Sequence, residues 1–364
     1  WIMAYTTIDD PSEYFHIQLY SGDGNTNRDV TNDANAGDFK PDWLWLKGRT
    51  DSSTQHMLFN SNVGMPNHLH ADLSDAEQTA TNKATVFNAD GFRVQDHSQV
   101  NGSGKDYVAW QWKCNGGTTS SNSSGSITST VQVNTTAGFS IVTFTGNGTG
   151  GATIGHGLGA VPHMILSKSR GHSENWAVYH QFSNATPEDY YFALDDNRAA
   201  SDSSVVWNDT APTSTLVTLG SQDKINKSSS THIAFCFTEI QGYSKFGSYT
   251  GNGSSSDGTF VYLGFKPAFI IIKATDQDEW RMYDNKRSTS SVGGINPINR
   301  RLRPHTDQAE TTADGSETEM DFVSNGFKLN STSGGVNTSG QVYTYMTFAE
   351  HPFVSSKGVP VTAR

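Results

Sequence analysis

The sequence predicts an all-β protein built as three tandem, divergent β-sandwich repeats of a lectin- or jelly-roll-like kind. Three observations lead there. Only 17% of the 364 residues are charged, 35 are Gly, and Ser, Thr and Asn abound. Chains of short strands joined by many turns have this profile, and helical proteins do not. The apolar runs are short, β-branched or aromatic, and bounded by Gly, Asn, Pro or Ser, as strands are. Finally, a set of landmarks recurs three times in the same order, the mark of an internal repeat.

Each unit begins with a Gly-x-Gly turn. The copies are "YSGDGNTN", "FTGNGTGG" and "YTGNGSSS", carrying Gly22 and Gly24, Gly146 and Gly148, and Gly251 and Gly253. Next comes a Pro, an apolar run and a Lys at constant spacing: Pro41 to Lys47, Pro162 to Lys168, Pro267 to Lys273. An aromatic segment follows ("HMLFN", "NWAVYH", "EWRMYDN"), then "GFRV", "LVTL" or "GFKL". A turn ("VNGSG", "INKSS", "VNTSG") and a closing strand ("DYVAWQWK", "THIAFCFT", "VYTYMTFA") complete the unit. The units are expected over 1–116, 137–242 and 243–353, each roughly a hundred residues, an ordinary domain size. Residues 117–136, dominated by Ser and Thr, read as a soluble linker. "EIQGYSKFGSYTG" leaves almost no spacer between the second and third units, so those two are expected to pack rigidly. Residues 354–364 read as an arm reaching a neighbouring subunit.

Strand faces are partly legible. "FSIVTFT" from Phe139 alternates Phe, Ile and Thr with Ser, Val and Phe, which predicts a strand covered on both sides. "WLWL" and "FIII" are continuously apolar and predict core strands. Helical periodicity is absent apart from short turns expected around Asp72 to Asn82. Most of Trp43, Trp45, Trp110, Trp112, Trp176, Trp207 and Trp280 are expected in the core.

Charge and motifs exclude several functions. The net charge of -11 repels a phosphate backbone, so nucleic acid is not an expected partner. No apolar run approaches the ~20 residues a membrane helix needs, so membrane insertion is not expected. Cys114 and Cys236 cannot make a disulfide framework and read as free thiols. The start shows no secretory signal, and Met3, behind Trp1 and Ile2, reads as the natural start. "GNGTGG" matches a dinucleotide fingerprint, but no helix pattern follows it and the sister copies lack the third Gly. Asn-Gly at 147–148 and 252–253 and Asp-Gly at 23–24 predict type I′ hairpins instead. No cofactor is expected.

Candidate sites are few. Asp23, Asn25, Asn27 and Asp29 alternate like the start of a calcium loop, but Arg28 and Ala34 stand where an EF-hand needs Gly and Glu. They form a weak metal candidate, with a solvated turn as the plainer reading. His68 and His70, with His56 upstream, could offer zinc two rings on one strand face, although surface-loop histidines are the plainer reading. Asp195, Asp196, Asp209, Glu239 and Glu350 could supply the paired carboxylates of a glycosidase. Glu239 and Glu350 occupy corresponding places, where the first unit has Cys114, and are expected to form partly buried pairs with the recurring lysines. Trp207, in "VVWNDTAP", is the candidate platform for stacking a sugar ring.

Taken together, "AYTTIDDPSEYF", "YVAWQWKCNGGTTSS", "GHGLGAVPHMILSKSR", "NWAVYH", "WNDTAPTSTLVTLG", "GYSKFGSYTGNG", "DNKR" and "FAEHPFV" resemble a poorly characterised protein family of marine bacteriophages that occurs among phage structural genes. The resemblance spans nearly the whole chain. It implies a virion component made in the host bacterial cytoplasm: a tail, fibre or capsid-surface protein, not an enzyme. Its expected partners are other virion proteins, itself in a symmetric oligomer, and host cell-surface glycan. Host attachment is the leading expectation. Capsid decoration without a receptor role is the alternative, and a polysaccharide depolymerase comes third.

Overall fold

The computed structural model describes residues 5–33, 39–288, 296–312 and 319–360. Trp1, Ile2, Met3 and Ala34 lie outside the described residues. The fold is all-β, in several antiparallel sheets, and among the described residues the helices are single turns. The first large sheet contains β1 (Phe15–Ser21), β2 (Trp43–Gly48), β3 (Met57–Asn60) and β4 (Asp106–Trp112). The second contains β5 (Phe139–Thr145), β6 (Met164–Ser169), β7 (Ala177–His180) and β8 (Thr231–Phe237). The third contains β9 (Ser244–Thr250), β10 (Phe265–Ala274), β11 (Trp280–Asp284) and β12 (Val342–Pro352). The strand orders are β1-β4-β2-β3, β5-β8-β6-β7 and β9-β12-β10-β11. The closing strand therefore inserts each time between the opening strand and the Pro-to-Lys strand.

Alternation of side chains places every large sheet between two cores. Trp43, Trp45, Trp110 and Trp112 face one core, while Leu44, Leu46, Tyr107 and Ala109 face another. On β5, Phe139 and Ile141 point one way and Val142 and Phe144 the other. On β10, Phe269 and Ile271 oppose Ile270 and Ile272. This is the two-sided burial expected from "WLWL", "FIII" and "FSIVTFT". The first member of each pair belongs to a single central core to which all three large sheets contribute. The second belongs to a local core, closed by strands Arg28–Val30, Ala84–Phe87 and Phe92–Val94 in the first case. Strands Ala152–Gly155 and Leu216–Leu219 close the second; Phe260–Tyr262, Met320–Val323 and Gly326–Leu329 close the third.

The central core is aromatic. Trp43 stacks on Phe235 at 4.6 Å and meets Trp112 at 4.3 Å, while Phe15 stacks on Phe348 at 5.1 Å. The Phe235 and Phe348 contacts join the first sheet to the second and the third. Aromatic pairs of this kind add ~0.5–1.5 kcal/mol each beyond the area they bury.

Residues 117–136 are not a free spacer. They supply strands Ser120–Asn122 and Ser129–Asn134, which extend the second large sheet beyond β5. Val131 enters the local core there, and buried Gln132 accepts from the amides of Asn115 and Gly117 at 2.9 and 2.8 Å. The period-2 pattern of "VQV" outweighs the Ser/Thr composition. The helical turn expected around Asp72 to Asn82 is also absent; that stretch holds the two-residue strand Gln78–Thr79. The tail folds back on its own chain, where the Ser356 amide donates to Asp9 at 2.6 Å.

The Gly-x-Gly turns are not type I′ hairpins. That turn needs positive φ at both central residues, and here only the second is positive, at 74° for Gly24 and Gly148 and 69° for Gly253. The strands on either side do not pair with each other. β5 pairs with β8, whereas Ala152–Gly155 pairs with Leu216–Leu219. The turn thus hands the chain from a large sheet to the small sheet covering it. A buried Asn holds it there, at the end of each short helix Ser98–Asn101, Asp223–Asn226 and Gly334–Asn337. Asn226 accepts from the Asn147 amide at 2.9 Å and donates to Thr149 O at 2.9 Å. Asn101 and Asn337 do the same for Asp23 and Asn25, and for Asn252 and Ser254. The fit is close, since a Cβ on Gly146 would lie 2.4 Å from Lys227 O.

Replacing Asn226 by Ala leaves several buried polar groups without partners, at ~1–3 kcal/mol each. Asn226→Ala is expected to lower the unfolding free energy by ~2–4 kcal/mol in urea titrations.

Candidate functional site

The residues singled out by sequence fall in three kinds of place. Trp207 is 2% exposed, inside the local core of the second sheet, edge-on to Tyr179 at 6.0 Å. It ends the one-turn helix Ser204–Trp207, which turns the indole inward, so it is not a sugar platform. His56, His68 and His70 are buried, with His68 and His70 on strand Asn67–His70, not on a surface loop. Burial lowers the pKa of His68 to about 3 and of His70 to about 4. His56 Nδ1 accepts from the Trp45 indole at 2.9 Å. The weak calcium candidates do not share one centre. Asp23 accepts from the Asn25 amide and from Asn101, Asn27 exchanges hydrogen bonds with Gln95, and Asp29 takes a bidentate pair from Arg93 at 2.8 Å.

All but one of the candidate carboxylates have partners of their own. Glu239 pairs with Lys245 at 3.6 Å, and Glu350 with Lys266 at 2.9 Å. Asp196 pairs with Arg198, Asp195 accepts from the Trp176 amide at 3.1 Å, and Asp209 is exposed. Both cysteines are free and buried, and burial pushes the Cys236 thiol up to about 12.

The recurring lysines do not meet Glu239 or Glu350. Lys47, Lys168 and Lys273 are fully buried, and their amines donate to main-chain carbonyls. Lys47 reaches Gly48 O at 3.0 Å and Asp307 O at 3.2 Å. Lys168 reaches Ser74 O at 2.8 Å, and Lys273 reaches Asp276 O at 2.9 Å. Burial is the main cause that lowers each of these pKa values to about 8, against the pull of nearby aspartates.

Two of those carbonyls lie on a strap from another sheet. Three straps, residues 70–77, 193–200 and 303–310, each cover the lysine end of the next sheet. Glu77 N donates to Arg170 O at 3.0 Å, Ala200 N to Thr275 O at 2.8 Å, and Glu310 N to Arg49 O at 2.8 Å. Each acceptor lies two residues past a recurring lysine. Indoles reinforce the closure, Trp176 to His70 O at 2.9 Å and Trp280 to Ala193 O at 2.8 Å. Arg170–Glu77 and Arg49–Glu310 add bidentate ion pairs, at 2.8 and 3.0 Å. The first sheet straps the second, the second straps the third, and the third straps the first. The straps share Ala76, Ala199 and Ala309, and the first and third follow this with the ion-pairing Glu77 and Glu310, a signal the repeat landmarks do not include. The clamping asparagines were legible as the Asn of "VN", "IN" and "VN" before each closing strand.

That ring leaves a cleft of about 420 Å³ beside β1, between the N-terminal segment and β12. Phe15, Ile17 and Ala268 form its apolar part, and Asp10, Glu350 and Lys286 are among its charged groups. Asn285, 7% exposed, turns an unpartnered Oδ1 there, and His351 stands at the open side. Such a mixture of apolar floor and hydrogen-bonding groups suits a polar, hydroxyl-rich ligand.

A family model matches residues 10–352, nearly the whole chain. The chain belongs to the family described as Domain of unknown function (DUF7483). The family match covers all three large sheets and all three straps, so the ring falls within it as one unit. No curated protein and no solved structure matches the chain.

Trp207→Ala removes a core indole and is expected to cost ~3–5 kcal/mol of stability by chemical denaturation, with no separate effect on sugar binding. Lys273 has a folded pKa below its unfolded one, so the unfolded chain binds its proton more tightly between pH 8 and 10.5. Stability therefore rises with pH across that window. The stability of the wild type relative to Lys273→Met is expected to increase between pH 8 and 10, read from urea midpoints at each pH.

Proposed function

We propose that this protein is a structural component of a bacteriophage virion, exposed on the particle as a tail- or fibre-type protein and acting in host-surface attachment. The finer architecture we propose is three tandem divergent β-sandwich repeats. The strand order common to the three large sheets supports this, as do the small sheets over their outer faces and the repeated asparagine clamps. The closed strap ring carries the functional reading. It ties three sheets into one rigid body around an aromatic core, and rigidity is what a displayed particle component needs. The resemblance to phage structural proteins supplies the biological setting. The cleft beside β1 is the place proposed for a host glycan, through Asn285, Lys286 and the neighbouring carboxylates.

Mass spectrometry of purified particles is expected to find the chain at stoichiometric level; its absence overturns the reading. The purified protein is expected to bind host cells, with binding reduced at least tenfold in Lys286→Ala/His351→Ala. Presence in particles without cell binding would favour capsid decoration. Release of sugars from host polysaccharide would favour a depolymerase.

A further inference from the structure

The loop between β6 and β7 carries a group of side chains that the strap ring does not use. His172 has its Nδ1 2.6 Å from Ser169 Oγ and 3.0 Å from Ser230 Oγ, contacts that fix the ring. Its other nitrogen, Nε2, is buried without a hydrogen-bond partner. Glu174 lies two residues further on, and Asp223 opens the short helix Asp223–Asn226. One ligand atom from each of His172, Glu174 and Asp223 lies within 4.8 Å of the others, the one such group of three among the described residues. A second histidine stands behind them. His232 is 0% exposed, edge-to-face with His172 at 6.0 Å, and neither of its ring nitrogens has a hydrogen-bond partner.

We propose that His172, Glu174 and Asp223 form a three-residue binding site for a divalent ion of the zinc class, with water completing its coordination. One imidazole and two carboxylates are a donor set zinc accepts, and a hard ion such as calcium prefers oxygen alone. Bonds of ~2.0–2.2 Å in tetrahedral geometry put donors on a common ion ~3.3–3.6 Å apart. Donors already within 4.8 Å close that gap by small rotations of Glu174 and Asp223, which are not buried. The hydroxyls on Nδ1 do what outer-shell partners do for metal-bound histidines: they orient the ring and leave Nε2 for the ion. Lys227 now pairs with Asp223 at 2.6 Å and is the cation the metal displaces.

The site belongs to one sheet only. Four residues past Lys168 stands His172; the equivalent positions hold Asp51, paired with Lys105, and Gln277. The ion would tie the β6–β7 loop to the helix that carries Asn226, next to the asparagine clamp. This inference is independent of the attachment reading and survives its failure.

The test uses the full chain, dialysed against EDTA and titrated with zinc chloride by calorimetry. A 1:1 isotherm and a zinc-dependent rise in melting temperature are expected. Cobalt is expected to give visible d–d absorption of a low-coordinate site. His172→Ala is expected to weaken zinc binding at least tenfold, and Glu174→Gln/Asp223→Asn to abolish it. Lys227→Met, which removes the competing cation, is expected to tighten it. His351→Ala, away from the site, is expected to bind as wild type. No zinc-dependent shift in the wild type, or equal binding by His172→Ala and the double variant, overturns the proposal.

Discussion

Everything in this protein depends on the large sheets having two apolar faces. A sheet with one face in water can stand alone on its local core; these cannot. Trp43, Trp45, Trp110 and Trp112 would all face solvent without the second and third sheets, as would Phe235, Phe269 and Phe348 on the other two. Each buried aromatic side chain contributes several kcal/mol through the area it removes from water. The three local cores are therefore necessary and insufficient, and the central core makes the sheets obligate partners within one chain.

The straps follow from the same requirement. Where a large sheet ends, main-chain carbonyls must find donors away from water. The recurring lysines supply three donors each on a flexible stem, and an indole or an arginine supplies more. Burying an ammonium among carbonyls is costly, which is why burial holds all three amines near pKa 8. Bidentate arginine–glutamate pairs at two of the three closures share the work, while the third closure, at Ala200 and Thr275, relies on the main chain and Trp280.

Much of this was legible in sequence, unevenly. Strand faces could be read because alternation is local. The constant Pro-to-Lys step marked the lysines, but not their acceptors, because a carbonyl on a distant strap has no side-chain signature. Trp207 sits in a loop-like string that hides its burial; a single helical turn is too short to show a period, yet long enough to turn an indole inward. Residues 117–136 have the Ser/Thr composition of a linker, and only the alternation of "VQV" marks the strand within them. The Gly-x-Gly turns marked the units correctly, but their geometry is set by asparagines about 80 residues away.

Closing the ring has a consequence for how the chain is made. Lys47 leaves the ribosome long before its strap acceptor, Asp307, which lies 260 residues later. At ~5–20 residues per second, the first sheet waits many seconds with its aromatic face uncovered. Vectorial synthesis thus yields, for most of that time, an open chain of sheets prone to mispairing with a neighbour emerging from the same messenger. Synthesis rate and chaperone supply, as much as the final contacts, set the yield of native protein.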